Sequence, residues 1–223
     1  MSGLQVQRAQ RRAVTSTDWL TSRHSFSFGP HYDPANVAFG PLIAMNSDEV
    51  RPGPGYVSHS HAGVEILTFV LEGVLEHELA GLRTLVAAGQ LQHLSVGRVV
   101  QHAERSGSEQ PVRVLQMWLA GRASGDPSYA VAQLPAGRWV LAASSERPAP
   151  VRLCSEPAQL WRAVLQPGDE LDLPSRSLFV VVVRGEVDID GVRLGAEDTG
   201  RGSARKLSAG TAAELFVWEF ARA

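Results

Sequence analysis

Two short motifs place ligand-type side chains two residues apart: His59-Ser60-His61 and, some forty residues later, His102-Ala103-Glu104. Alternate residues of a β-strand face the same side, so each pair projects its functional groups in one direction if its segment is extended. Three neutral imidazoles and one carboxylate form a nitrogen and oxygen donor set without thiolate. Such a set accepts Fe(II), Mn(II), Ni(II), Co(II), Cu(II) or Zn(II). Four protein ligands leave positions open on a five- or six-coordinate ion, which is the condition for exchangeable chemistry rather than a closed structural site. The expected metal ligands are therefore His59, His61, His102 and Glu104. Glu65, at H-x-H-x-x-x-E spacing, either competes with Glu104 as the anionic ligand or orients an imidazole from outside. With seven histidines in the chain, one H-x-H arises easily by chance; the second motif is what turns the pattern into a metal site.

Strands must carry these motifs. Short runs rich in Val, Leu and Phe, such as Ile66 to Leu71, Val112 to Leu119, Leu178 to Val183 and Leu215 to Phe220, alternate with Gly, Pro and Asp from Phe39 to Phe220. The pattern predicts a mostly β protein with helix confined to about one turn near Glu156 to Trp161. Continuing the parity of His59 gives Gly63, Glu65, Leu67, Phe69 and Leu71, a mostly apolar face, so the histidines are expected to look into the interior. Residues 121–150 lose the strand rhythm and read as a connection between two halves, with the boundary near residue 125.

A repeat supports two halves. Phe69 to Leu79 (FVLEGVLEHEL) is similar to Val181 to Gly191 (VVVRGEVDIDG), with Gly73 matching Gly185. In that register Leu171 stands opposite His59 and Leu173 opposite His61, so the second half replaces the ligands by hydrocarbon. The net charge of −2 and pI near 6.4 give no reason to expect binding along a nucleic-acid backbone or on an anionic membrane. Cys154 is the only cysteine, which excludes an intrachain disulfide. No apolar run of signal-peptide or membrane-spanning length is present, and the expectation is a soluble, cytoplasmic monomer.

Other residues are assigned structural parts. His24 and His31 are expected as hydrogen-bonding partners, Cys154 as a buried small hydrophobe, Trp118, Trp161 and Trp218 as packing, and Asp190-Gly191 as a type I′ turn. His77 faces the interior only if no bulge intervenes at Gly73. The arginines 8, 11, 12 and 23 read as a solvated basic strip.

Arg23 to Gly29 (RHSFSFG), Tyr32-Asp33-Pro34, His59-x-His61 leading into Glu65 to Gly73 (EILTFVLEG), Glu76-His77 and His102-Ala103-Glu104 together resemble the pirins, bicupin proteins of the cupin superfamily. The resemblance runs over almost the whole chain. It implies two tandem cupin-type antiparallel β-barrels: residues 1–125 as an N-terminal metal-binding barrel and 126–223 as a barrel without ligands. It implies one divalent metal, with Fe(II) the expected occupant, on His59, His61, His102 and Glu104, and Glu65 near but unbound. Several pirins resemble quercetin 2,3-dioxygenases, which open a flavonol ring with O₂ and release carbon monoxide; Glu104, or Glu65, is then the expected proton acceptor. Eukaryotic pirins resemble redox-responsive transcription cofactors, the competing implication. The family usually carries prolines around its first two histidines and a basic residue after them. Ser58, Ser60, Ala62 and Gly63 stand there in this chain, which implies a wider and less positive mouth.

Overall fold

The computed structural model describes residues 3–121, 126–154 and 157–221. Among these, twenty-two strands and one 3-10 turn, Ala9–Arg11, account for the regular structure. The helical turn expected near Glu156 to Trp161 is a strand, Ala158–Leu165; Glu156 itself lies outside the described residues. Trp161 there pairs across to Val217 on a neighbouring strand, and this cross-strand register overrides the local pattern.

The chain forms two compact units, Ala13–Leu134 with Leu153–Glu156, and Met1–Arg12 with Pro135–Arg152 and Pro157–Ala223. Each contains a seven-stranded and a four-stranded sheet. The class is β as expected, but each expected barrel is two open sheets rather than one closed ring of hydrogen bonds. One pairing, between Val140–Ser144 and Val151–Arg152, is parallel. Residue 125, where the boundary was placed, lies outside the described residues, and the first unit continues to Leu134. Ser128–Gln133, inside the expected connection, pairs with Gln90–Val96 and so belongs to the first unit. The first twelve residues belong with the second unit, where Gln5–Gln7 pairs with Thr199–Gly202. Arg8 bonds Asp198 at 2.7 Å and the buried Arg12 bonds Glu197 at 3.0 Å, so these two are anchors rather than parts of a solvated strip.

The repeat holds at the level of register. His59 pairs with His102 in the first unit, and Leu171, 112 positions after His59, pairs with Leu207 in the second. Gly73 and Gly185 share a φ of +79°, and a Cβ on either would collide with backbone, at Pro111 or at Ala212. Only glycine fits both the left-handed backbone and the close approach. In the second unit Leu171 and Leu173 join an apolar cluster with Leu207, Val187 and Ile189. Asp190 and Gly191 both have positive φ, in keeping with the type I′ turn.

In the first unit the site rests on a division of labour between sheets. Val64–Glu72, Val112–Ala120 and Leu42–Val50 lie side by side inside the seven-stranded sheet and are buried along most of their length. The four-stranded sheet runs Tyr56–His61, Val100–Ser106, Val74–Leu79 and Leu82–Ala87. Along Val100–Ser106, burial alternates with the pleat: Val100, His102, Glu104 and Ser106 face in while the residues between them are more exposed.

Candidate metal centre

Antiparallel pairing of Tyr56–His61 with Val100–Ser106 sets His59 opposite His102, and a register shift between His102 and Glu104 brings Glu104 opposite Tyr56. The ring centroids of His59, His61 and His102 are separated by 4.5 to 4.9 Å, and one ligand atom from each of the three lies within 4.8 Å of the others. Nε2 of His61 and Nε2 of His102 are buried and have no hydrogen-bond partner. Two orphaned imidazole nitrogens in one cluster cost free energy unless something satisfies them, and a divalent cation meets both needs at once. His59 Nδ1 is 2.8 Å from the Val57 carbonyl, a contact that puts the ring proton on Nδ1 and leaves Nε2 as the donor. His102 Nδ1 is 2.9 Å from His77 Nε2, a contact that holds the second ring in place and, when Nδ1 carries the proton, leaves Nε2 as the ligand atom.

His77 is therefore part of the machinery that sequence parity left open. It is 1% exposed and stacks on Tyr129 with ring centroids 4.9 Å apart. Burial pushes His61 down to about 4. It pushes His102 down to about 3, with the charges of His59 and His61 adding to the effect. His77 is pushed down to about 4, because burial outweighs the opposing pull of Glu104. All three rings are neutral at pH 7, as metal ligation and tautomer control require. In an unfolded chain the same rings take up protons near pH 6.5. The metal-free fold is therefore expected to lose stability as pH falls from about 6.5 towards 4, by a total on the order of several kcal/mol. Melting temperatures of chelator-treated protein between pH 7 and 4 check this; a flat profile contradicts it.

Glu104 is buried beside His102, and its environment is built for a carboxylate. Gln92 Nε2 donates to Oε1 at 3.0 Å and Gln116 Nε2 donates to Oε2 at 2.9 Å. The carbonyl ends of both amides are occupied, by Tyr129 Oη at 3.1 Å and Trp118 Nε1 at 2.9 Å. Since indole N–H only donates, Gln116 must turn its NH₂ towards Glu104. The Tyr129 hydroxyl is pushed up to about 12, with burial the largest cause, and stays protonated. Two ligand-type groups thus overlap here: His59, His61 and His102 form one, and His77, His102 and Glu104 another.

Glu65 is elsewhere. Gly63, with φ +63°, separates Tyr56–His61 from Val64–Glu72, the two strands lie in different sheets, and the parity counted from His59 does not survive the break. Ile66, not Glu65, lines the site. Glu65 bonds His93 Nε2 at 2.8 Å and accepts the Cys154 amide at 3.0 and 3.1 Å. These contacts, to His93 and to the Cys154 amide, do not support the catalytic or imidazole-orienting part expected of it. Replacing Glu65 by alanine is expected to lower stability by roughly 3 kcal/mol, because His93 loses its buried partner, while metal content stays the same. Denaturant midpoints and metal analysis of the variant check this. The Cys154 side is exposed rather than buried.

A cavity of about 220 Å³ opens over the three histidines, walled by Phe28, Tyr56, Ile66, Glu104, Gln116 and Trp118. Trp118, expected as packing, is a wall of the site, with its ring 4.8 Å from that of His61. Phe28 meets Trp118 edge-on at 5.3 Å and stacks on His24 at 4.9 Å. His24 bonds Thr15 and Asn46, and His31 bonds Thr15, the structural parts expected of them. Trp218 is fully buried, and Trp161 donates to Glu219 at 2.9 Å.

Residues 6–119 match the pirin family. A relative from Mycobacterium tuberculosis (strain ATCC 25618 / H37Rv), which bears a provisional quercetin 2,3-dioxygenase name, is 37% identical over 97% of this chain and 94% of its own length. The chain belongs to the pirin family. The quercetin 2,3-dioxygenase of Escherichia coli (strain K12) is 31% identical over 86% of this chain and 87% of its own. Among solved structures, the bacterial pirin YhhW from Escherichia coli in complex with nickel(II) superposes with a TM-score of 0.93 at 27% identity, covering 99% of this chain and 100% of that one. The pirin fold therefore extends over both units. No helix among the described residues is long and apolar enough to cross a membrane.

Proposed function

We propose that this chain holds one divalent transition metal on His59, His61, His102 and Glu104 and opens the central ring of a flavonol such as quercetin with O₂, releasing carbon monoxide. The observation that carries the reading is the pair of buried, unpartnered Nε2 atoms of His61 and His102 beside an aromatic-walled cavity. The family membership, and relatives named for quercetin 2,3-dioxygenase activity, support it. Fe(II) is the ion proposed; the donor set equally suits nickel, which the YhhW structure contains.

A metal bound there supplies Lewis acidity that favours the ionised form of the flavonol 3-hydroxyl. The chain's own residues do the rest. Phe28, Trp118 and Ile66 offer flat apolar surface to a planar ring system, which holds the substrate and keeps bulk water away. Glu104, fixed by Gln92 and Gln116, keeps lone pairs free on both oxygens and takes the 3-hydroxyl proton. The cavity is below the usual ~300–1,000 Å³ of ligand pockets, so it receives the reacting end of the flavonol while the remainder occupies the mouth.

Turnover under ¹⁸O₂ with mass analysis of the ring-opened product tests the reaction class. Incorporation of both oxygen atoms into the product is expected; incorporation from solvent water contradicts a dioxygenase.

A further inference from the structure

The donors and acceptors around the cavity restrict what the same site can hold, given the metal-bound flavonol reading on which this rests. The Tyr56 hydroxyl donates to Asp48 Oδ2 at 3.1 Å, and Asp48 is a buried carboxylate that also receives the Ser22 hydroxyl. The Trp118 indole N–H is committed to Gln116. Both hydrogens of the Gln116 amide are committed, one to Glu104 and one to Thr68 Oγ1 at 3.4 Å. The His59 Nδ1 proton is committed to Val57, and His102 Nδ1 is engaged by His77. Towards an occupant the site offers acceptor capacity: the Glu104 carboxylate and the oxygen of Tyr56, whose phenol has donated its only hydrogen to Asp48.

We infer that the cavity selects a neutral aromatic bearing at least two hydroxyl groups, one ionising at the metal and a second donating a hydrogen bond to Tyr56 Oη. Tyr56 is thereby a specificity-determining residue. A ligand with a single hydroxyl, or one whose other hydroxyls are methyl ethers, leaves the acceptor capacity of Tyr56 Oη unused in a site from which water has been displaced. Among the described residues, no lysine or arginine lines the cavity to receive a carboxylate or phosphate, so acidic substrates gain nothing from these residues beyond the metal itself.

The test is equilibrium binding by calorimetry under nitrogen, using protein loaded with redox-inert Zn(II) so that no turnover intervenes. The ligands are quercetin, 3-hydroxyflavone and quercetin methylated at every hydroxyl except the 3-position. The wild-type chain is expected to bind quercetin about tenfold more tightly than either single-hydroxyl ligand. Tyr56→Phe is expected to weaken quercetin by about five- to tenfold and to leave the other two within about twofold. Equal affinity of the wild type for all three ligands overturns the inference, as does a Tyr56→Phe loss spread evenly over all three, or failure of all three to bind. Because no O₂ is present, a protein that shows the expected pattern yet opens no flavonol refutes the ring-opening reaction and leaves the role of Tyr56 standing.

Discussion

Replacing His59 and His61 together by alanine is expected to lower bound metal from about one ion per chain to below about a tenth and to abolish flavonol turnover. The loss is large because two of three clustered imidazoles disappear and the remaining pair, His102 and Glu104, cannot hold a divalent ion against solvent. Lewis-acid stabilisation is worth several kcal/mol, so the rate falls by at least about a thousandfold. The fold itself should survive. His59 and His61 lie on an edge strand of the four-stranded sheet and are only half-buried, unlike the strands at the middle of the seven-stranded sheet. Elemental analysis and circular dichroism on the same preparation separate the two effects; a variant that retains a full complement of metal places the ion elsewhere.

Glu104→Gln carries the second large expectation, a fall of about 10²- to 10⁴-fold in kcat. The substitution removes the proton acceptor and also inserts an NH₂ group into a space where Gln92 and Gln116 already point theirs. One of the three amides must turn, and Gln116 cannot do so without setting its NH₂ against the indole N–H of Trp118. Metal affinity is expected to fall as well, since the only carboxylate in the set is lost. Steady-state kinetics at saturating metal, compared with chelator competition for the ion, resolve the two contributions. A kcat within a few-fold of wild type removes Glu104 from the chemistry.

Much of this site was legible in the sequence. The two i, i+2 motifs survive folding because the period of two holds from His59 to His61 and along Val100–Ser106; the register shift falls outside the first motif, between Tyr56 and His59. Glu65 was misplaced for the complementary reason: its parity was counted through Gly63, where a left-handed residue moves the chain from one sheet to the other. His77 lies beyond a similar break at Gly73, and only the observed pairing of His77 with Glu104 shows that it faces the same side as Glu104. Gln92 and Gln116 had no chemical signature, as amides serve anywhere on a strand. One signal was available: Gln116 and Trp118 share parity on Val112–Ala120 and so face the same cavity. The assignment of Gln5–Gln7 and Ser128–Gln133 to sheets depends on partners far away in sequence, which no local pattern encodes.

The replacement of ligands in the second unit shows the same physics from the other side. Leu171 and Leu207 occupy the paired positions that His59 and His102 hold in the first unit, and they close the interior by packing where the histidines leave two buried ring nitrogens without a partner. Among the described residues, both groups able to hold a metal lie in the first unit. The chemistry is therefore expected from one unit alone.

The measurement that tests the central claim most directly is oxygen uptake by the metal-loaded protein in the presence of quercetin, with carbon monoxide collected in the headspace. About one O₂ consumed and one CO released per quercetin lost, with neither seen in the His59→Ala/His61→Ala variant, is the predicted result. Quercetin left intact under air by protein carrying about one metal ion per chain is the result that contradicts it.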